Sequence, residues 1–284
     1  MKKICAILLA LLTLAALTAG CAKRDDQTAT DAAEQLRVTF IDVGKGDCVL
    51  LEKDGAFALI DAGYDDTSDG VISFMKERGV ETLEAVIVTH YDKDHVGGAA
   101  AVAQAFAVKQ FYLPGYVGHS KYYTALMKTI IEQELAYRQV TEDVSFDLSG
   151  VTVDIFASSV EYVYDGTEEG NDNDASLVAA ATWGRDSYLF AGDLEKAGIS
   201  AFLAANRGPY DVVKMPHHGS HKKNTDDFID AVRPKIAVIT DSTDDPAEQE
   251  TLDLLARAGA KTYRTARLGT VTVISTGDGT YTVS

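Results

Sequence analysis

From Leu36 onward, short apolar runs alternate with turns rich in Gly, Asp and Asn, and longer stretches with apolar residues at helical spacing lie between them. The runs predict strands near 36–43, 48–52, 56–61 and 85–89, with a helix over 68–78 that Gly79 ends. The scheme returns in the second half, with strands near 151–156, 176–182, 187–191, 211–214, 236–240 and 271–275 and helices near 197–205, 225–232 and 247–258. Mixed elements in two such halves predict an α+β fold, an αββα sandwich with two sheets face to face and helices outside. Residues 36–284 suffice for one domain with a substantial core.

The N-terminal pattern is different. Met1-Lys2-Lys3 is basic, residues 4–19 are apolar and rich in small side chains, and Leu17-Thr18-Ala19-Gly20-Cys21 is similar to a bacterial lipoprotein processing site. Residues 1–20 are therefore expected to be an export signal, with Cys21 lipidated. The polar segment 21–35 then tethers the domain to the membrane on its extracytoplasmic side. The alternatives are an uncleaved anchor helix and free secretion. Only Cys48 then remains as a thiol, so no internal disulfide is expected, and its apolar neighbours mark it as a buried strand residue. In 116–139, Tyr122, Tyr123, Leu126, Met127, Ile130, Ile131 and Leu135 fall on one helical face, which predicts a packed helix. A functional alternative is a cap over the active site, with His119 and Tyr112 reaching substrate.

The chemistry is concentrated at two predicted strand ends. Thr89-His90-Tyr91-Asp92-Lys93-Asp94-His95 follows the apolar run 84–88 and holds four side chains able to ligate a metal. Strand ends are where α/β folds place active sites. Five of the six histidines lie in two places, His90 and His95 here and His217, His218 and His221 after the strand near 211–214. Their convergence on one site is expected. A metal pair at such a site activates water and polarises a phosphoryl or carbonyl oxygen without a Ser nucleophile. Asp94 or Asp193 is then placed to shuttle a proton, and His218 or Lys214 to stabilise developing negative charge.

The run His90 to His95 resembles the metal-binding signature of the metallo-β-lactamase fold. Phe40-Ile41-Asp42-Val43-Gly44-Lys45-Gly46-Asp47, Asn173-Asp174-Ala175-Ser176-Leu177-Val178, Phe190-Ala191-Gly192-Asp193 and Pro216-His217-His218-Gly219-Ser220 extend the likeness to the hydrolase domain of the ComEC/Rec2 family of DNA-uptake proteins. The resemblance implies two divalent ions. His90 and Asp92 hold the first, with Asn173 near the position of a further ligand. Asp94, His95 and His217 hold the second, and Asp193 bridges the pair. Asp61 stands behind the ligands. Asp92 and Asn173 replace the histidines usual in this fold, so the hard oxygen donors favour Mn²⁺ or Mg²⁺ over Zn²⁺ at the first position.

Charge narrows the substrate. With 43 acidic against 26 basic residues the net charge is −17, and loss of Lys2 and Lys3 with a leader deepens it. Such a field disfavours tight DNA binding, and the basic residues occur only in small groups such as Lys222-Lys223 and Arg257, Lys261, Arg264 and Arg267. The expectation is a membrane-tethered binuclear hydrolase, above all of phosphodiester bonds, and the resemblance to the ComEC/Rec2 family implies DNA or another nucleotide-containing molecule as the substrate class. The alternatives are hydrolysis of a lactone, β-lactam or other small ester or amide, and a non-catalytic metal-binding lipoprotein.

Overall fold

A computed structural model describes residues 35–167 and 170–284. The leader over 1–20, and with it Cys21 and nearly all of the tether over 21–35, lies outside the described residues. In chain order the strands are β1 (Leu36–Phe40), β2 (Val49–Lys53), β3 (Ala56–Ile60), β4 (Thr82–Leu83), β5 (Ala85–Ile87), β6 (Ala107–Val108), β7 (Phe111–Pro114), β8 (Tyr137–Val140), β9 (Val144–Leu148), β10 (Val151–Phe156), β11 (Val178–Trp183), β12 (Asp186–Phe190), β13 (Val212–Lys214), β14 (Ile236–Ile239), β15 (Lys261–Arg264), β16 (Val271–Ser275) and β17 (Tyr281–Val283). They form an eight-stranded sheet, β17-β16-β1-β2-β3-β5-β7-β8, and a seven-stranded sheet, β15-β14-β13-β12-β11-β10-β9, while β4 and β6 pair by themselves.

Alternation along each strand builds the layers. On β2, Val49 and Leu51 enter the core between the sheets, where they join Val38, Phe40, Val153, Ile155, Tyr188 and Phe190. Leu50, with Cys48 just before it, turns to the other face and packs under Val71, Met75, Val102 and Leu126. Those four come from the helices Ser68–Glu77, Ala99–Ala105 and Lys121–Glu132. On the second sheet, Val213 and Ala237 meet Ile199, Phe228, Ile229 and Leu255 from the helices Lys196–Ala204, Thr225–Val232 and Gln249–Arg257. The fold is the expected αββα sandwich, and Cys48 is a buried, free thiol within it.

Most element ends shift from the sequence expectation by only a few residues. The largest change is β1, which stops at Phe40 rather than at 43, because Ile41 to Asp47 leave the sheet to form a loop at the site. In 116–139 the helix is Lys121–Glu132, capped by Ser120 Oγ accepting the Tyr123 N–H. Leu126 and Ile130 are buried on its inner face, but Ile131 is 67% exposed, so the predicted apolar stripe is narrower than the sequence suggests. Strands β3, β5, β7 and β8 pair in parallel, as do β12 to β15. Their carboxyl ends therefore point the same way within each sheet. No described helix is long and apolar enough to cross a membrane.

Candidate metal centre

Loops after β3, β5, β12, β13 and β14 bring the chemistry together at strand carboxyl ends, as open α/β sheets do. The loop after β5 is pressed against its neighbours: the Asp47 N–H donates to the Asp94 carbonyl, 3.0 Å, and the Ala62 N–H to the His95 carbonyl, 2.8 Å. A Cβ on Gly98 would lie 2.3 Å from the Ala62 carbonyl oxygen, and one on Gly46 would lie 2.7 Å from that of Asp94. Glycine at both positions is what lets these backbones approach.

Asp61 anchors the histidines. It is fully buried at a φ of 56°, and it accepts the Thr89 N–H at 2.8 Å, the Thr89 hydroxyl at 2.7 Å and His95 Nδ1 at 2.8 Å. Because the Thr89 hydroxyl donates to Asp61, its lone pair accepts from His90 Nδ1 at 3.0 Å. Both imidazoles thus carry their proton on Nδ1 and turn Nε2 into the site. His218 is fixed the same way by another route: the Thr240 hydroxyl donates to Asp47 Oδ1 at 2.6 Å and faces His218 Nδ1 at 3.1 Å.

The Nε2 atoms of His95 and His218 lie 3.4 Å apart and meet two carboxylates. Asp193 offers Oδ1 at 3.3 Å from His95 and Oδ2 at 3.0 Å from His218, and Asp94 Oδ2 is 3.3 Å from His218. Asp94, His95, Asp193 and His218 present four ligand atoms within 4.8 Å of one another. Beside them, His90 Nε2 is 3.7 Å from Asp92 Oδ2 and has no hydrogen-bond partner, nor has Asn173 Oδ1, though both atoms are buried. The Leu177 N–H, donating to the Thr89 carbonyl at 2.8 Å, ties the Asn173 segment to this loop.

Charge balance is tight. Burial works against the charge on Asp193, but His218, His95 and Lys214 hold its carboxyl well below the usual range. Burial likewise opposes protonation of His95, yet Asp193, Asp61 and Asp47 raise its pKa well above that of a free histidine. His90 is held neutral, first by burial and then by the His95 charge. Donors of nitrogen and carboxylate oxygen, with buried polar atoms left unsatisfied, fit a divalent metal ion.

The profile of the Metallo-beta-lactamase superfamily matches residues 41–240, which hold every residue named in this site. The chain belongs to that superfamily. Among curated proteins it is similar to "ComE operon protein 3" of Bacillus subtilis, 28% identical over 71% of this chain and 26% of that protein. It is also similar to "Recombination protein 2" of Haemophilus influenzae, 25% identical over 72% of this chain and 24% of that one. The match thus covers about a quarter of each relative. The solved structure of Tm1679, titled a metal-dependent hydrolase of the beta-lactamase superfamily, shares the fold with a TM-score of 0.55. It is 14% identical, over 81% of this chain and 95% of that one.

Within this superfamily member, several expected roles change. His218, not His217, joins Asp94, His95 and Asp193. The two are consecutive residues at φ 45° and 52° in the turn Pro216–Gly219, and this places His217 Nδ1 3.0 Å from Glu195 on the rim. Lys214 does not wait for substrate. Its ammonium is buried, donates to the Gly192 carbonyl at 3.0 Å and Asp193 at 3.2 Å, and pairs with Asp47. Tyr112 stacks on Phe146 toward the inter-sheet core and His119 stacks on Tyr164, so Tyr112 does not reach the site. The sequence by itself assigns no role to Asp47 or Thr240. Asp47 ends the run Phe40 to Asp47 that carries the family likeness, whereas nothing local marks Thr240.

Proposed function

We propose that this chain is a binuclear metal-dependent hydrolase of phosphodiester bonds, acting on a nucleotide-containing molecule. The observation that carries the reading is the convergence of Asp94, His95, Asp193 and His218 within 4.8 Å of one another, with His90 Nε2 and Asp92 Oδ2 3.7 Å apart and the buried His90 Nε2 and Asn173 Oδ1 left without hydrogen-bond partners. The similarity to a relative named for recombination supports a substrate derived from nucleic acid. A divalent pair held there supplies Lewis acidity, which acidifies an attacking water and draws charge from the phosphoryl oxygen.

The protein's own part is orientation and proton handling. Asp61 and Thr89 fix two imidazoles and Asp47 with Thr240 a third, so the donor atoms are placed before any ion arrives. Lys214 holds one Asp193 oxygen in place. Asp193 is engaged by His95, His218 and Lys214, whereas Asp94 is the more open carboxylate, its side chain 19% exposed. Asp94 is therefore the group placed to take the proton of the attacking water and return it to the leaving oxygen.

Parallel assays on bis-p-nitrophenyl phosphate, single-stranded DNA, a lactone and a chromogenic cephalosporin test the reading. Phosphodiester turnover that is lost with chelator and restored by metal is expected, and turnover confined to the lactone or the cephalosporin overturns it. The basic start, apolar run and Gly20-Cys21 further support export and anchoring through lipidated Cys21. Labelled fatty acid should enter the wild type and not Cys21→Ser, and a wild type that never takes up label rules the anchor out.

A further inference from the structure

A stack of aromatic rings runs outward from the metal centre. Tyr91, between two candidate ligands, meets Tyr116 edge-on at 5.1 Å. Tyr116 stacks on Tyr162 at 4.2 Å and 11°. Farther out, His119 lies nearly parallel to Tyr162 at 6.3 Å and stacks on Tyr164 at 3.9 Å. Tyr164 is 51% exposed, so the ring backed by His119 offers its remaining surface to solvent. Val117 and Val163, both 58% exposed, sit next to these rings in sequence, and with Tyr164 they make up half of the large exposed apolar side chains among the described residues. Single exposed apolar residues are ordinary, but a concentration on two loops beside a reactive centre marks a binding surface.

At the inner end of the stack, the Tyr116 hydroxyl is buried without a hydrogen-bond partner. Its phenol O–H is thus a donor left without an acceptor. Two nearby lysines are already engaged: Lys45 pairs with Asp245 at 2.6 Å and Lys222 with Glu195 at 2.7 Å. A chain of net charge −17 is poorly suited to track a long phosphate backbone. It can hold a flat, uncharged ring, because stacking needs no charge and tolerates any base.

Building on the phosphodiesterase reading, we propose that Tyr164, backed by His119, is a stacking platform for the base of a small nucleotide, and that Tyr116 donates to an oxygen of its phosphoryl ester beside Asp92. Binding of thymidine 5′-monophosphate and of deoxyribose 5-phosphate to the metal-loaded full chain tests this by calorimetry. The base should strengthen binding roughly tenfold or more. Tyr164→Ala should abolish that preference and Tyr164→Phe should keep it, with metal content unchanged in both. Equal affinity for the two ligands, or an undiminished preference in Tyr164→Ala, overturns the platform. An oligothymidylate bound far more tightly than the mononucleotide overturns the small substrate. A preference that depends on Tyr164 in a protein inert toward phosphodiesters sustains the platform and sinks the proposed reaction. Phosphodiester turnover with no preference for the base does the reverse.

Discussion

The two sides of the metal centre are built on opposite principles. Around His95 and His218, each imidazole nitrogen faces a partner within 3.4 Å, and the carboxylates of Asp193 and Asp47 are tied to Lys214. Around His90, by contrast, Nε2 has no hydrogen-bond partner, and neither has Asn173 Oδ1. The first arrangement holds itself together with protons and an ammonium. The second leaves buried polar atoms unsatisfied, which costs stability until something binds them. On the binuclear reading proposed above, a metal on the His95 side would have to displace protons, whereas one on the His90 side would fill a gap already made.

Removing the compensating cation should break the self-sufficient side. Lys214→Met leaves Asp47 and Asp193 buried near each other without their partner, a change expected to cost about 3–5 kcal/mol. For a domain of this size that lowers the melting temperature by roughly 10 °C. Asn173→Ala removes an atom that bonds to nothing and should leave the melting temperature of the metal-free protein nearly unchanged. Equal thermal shifts in the two variants would erase the distinction.

Asp61 serves both sides, through His95 directly and His90 by way of Thr89, so Asp61→Asn should weaken metal binding at both. A loss of roughly 10- to 100-fold in affinity is expected, read by competition with a chelating dye. An effect confined to one ion would mean that the Thr89 relay does not fix His90.

What the sequence disclosed and what it hid divide along physical lines. His90 to His95 and Asp193 were legible because each follows an apolar strand, and a strand end aims whatever comes next. The sandwich was legible from the apolar periods that bury Val49 and Leu51 on one face and Leu50 on the other. The choice between His217 and His218 was not, since it depends on two successive left-handed backbone conformations that no side-chain pattern announces. Nor was the burial of Lys214. A three-residue strand is too short for alternation to say which way a lysine points, and its partner Asp47 arrives from the other sheet. Tyr112, a substrate contact in the cap alternative, instead stacks its ring toward the core.

Proton competition sharpens the comparison further. Burial lowers the pKa values of His95 and His218, but Asp193, with Asp61 and Asp47 in the case of His95, raises them above that of a free histidine. These protons persist to higher pH than ordinary imidazolium, and a metal must expel them. Affinity on that side should therefore climb as pH rises through neutrality. His90, held neutral by burial and the His95 charge, has no proton to release there. Calorimetry in buffers of different ionisation enthalpy should show proton release for one ion and little for the other. Equal release for both would remove the asymmetry.

Metal identity is the smallest effect and the finest test, because it concerns only which ion the His90 side would take under the binuclear reading. Asp92 and Asn173 give that side oxygen donors beside a single imidazole, a set that suits Mn²⁺ better than the imidazole-rich sites favoured by Zn²⁺. The protein freed of metal and reloaded with Mn²⁺ should hydrolyse a phosphodiester at least as well as the Zn²⁺ form. Asp92→His should shift the preference toward zinc by about tenfold, close to 1.4 kcal/mol, and leave the proton release on the His95 side untouched. Turnover and calorimetry on both proteins with both metals check the two halves of that expectation. A wild type active only with Zn²⁺ would mean that donor hardness does not govern the His90 side, and that the groups behind the ligands, Asp61 and Thr89, choose the ion by the geometry they impose.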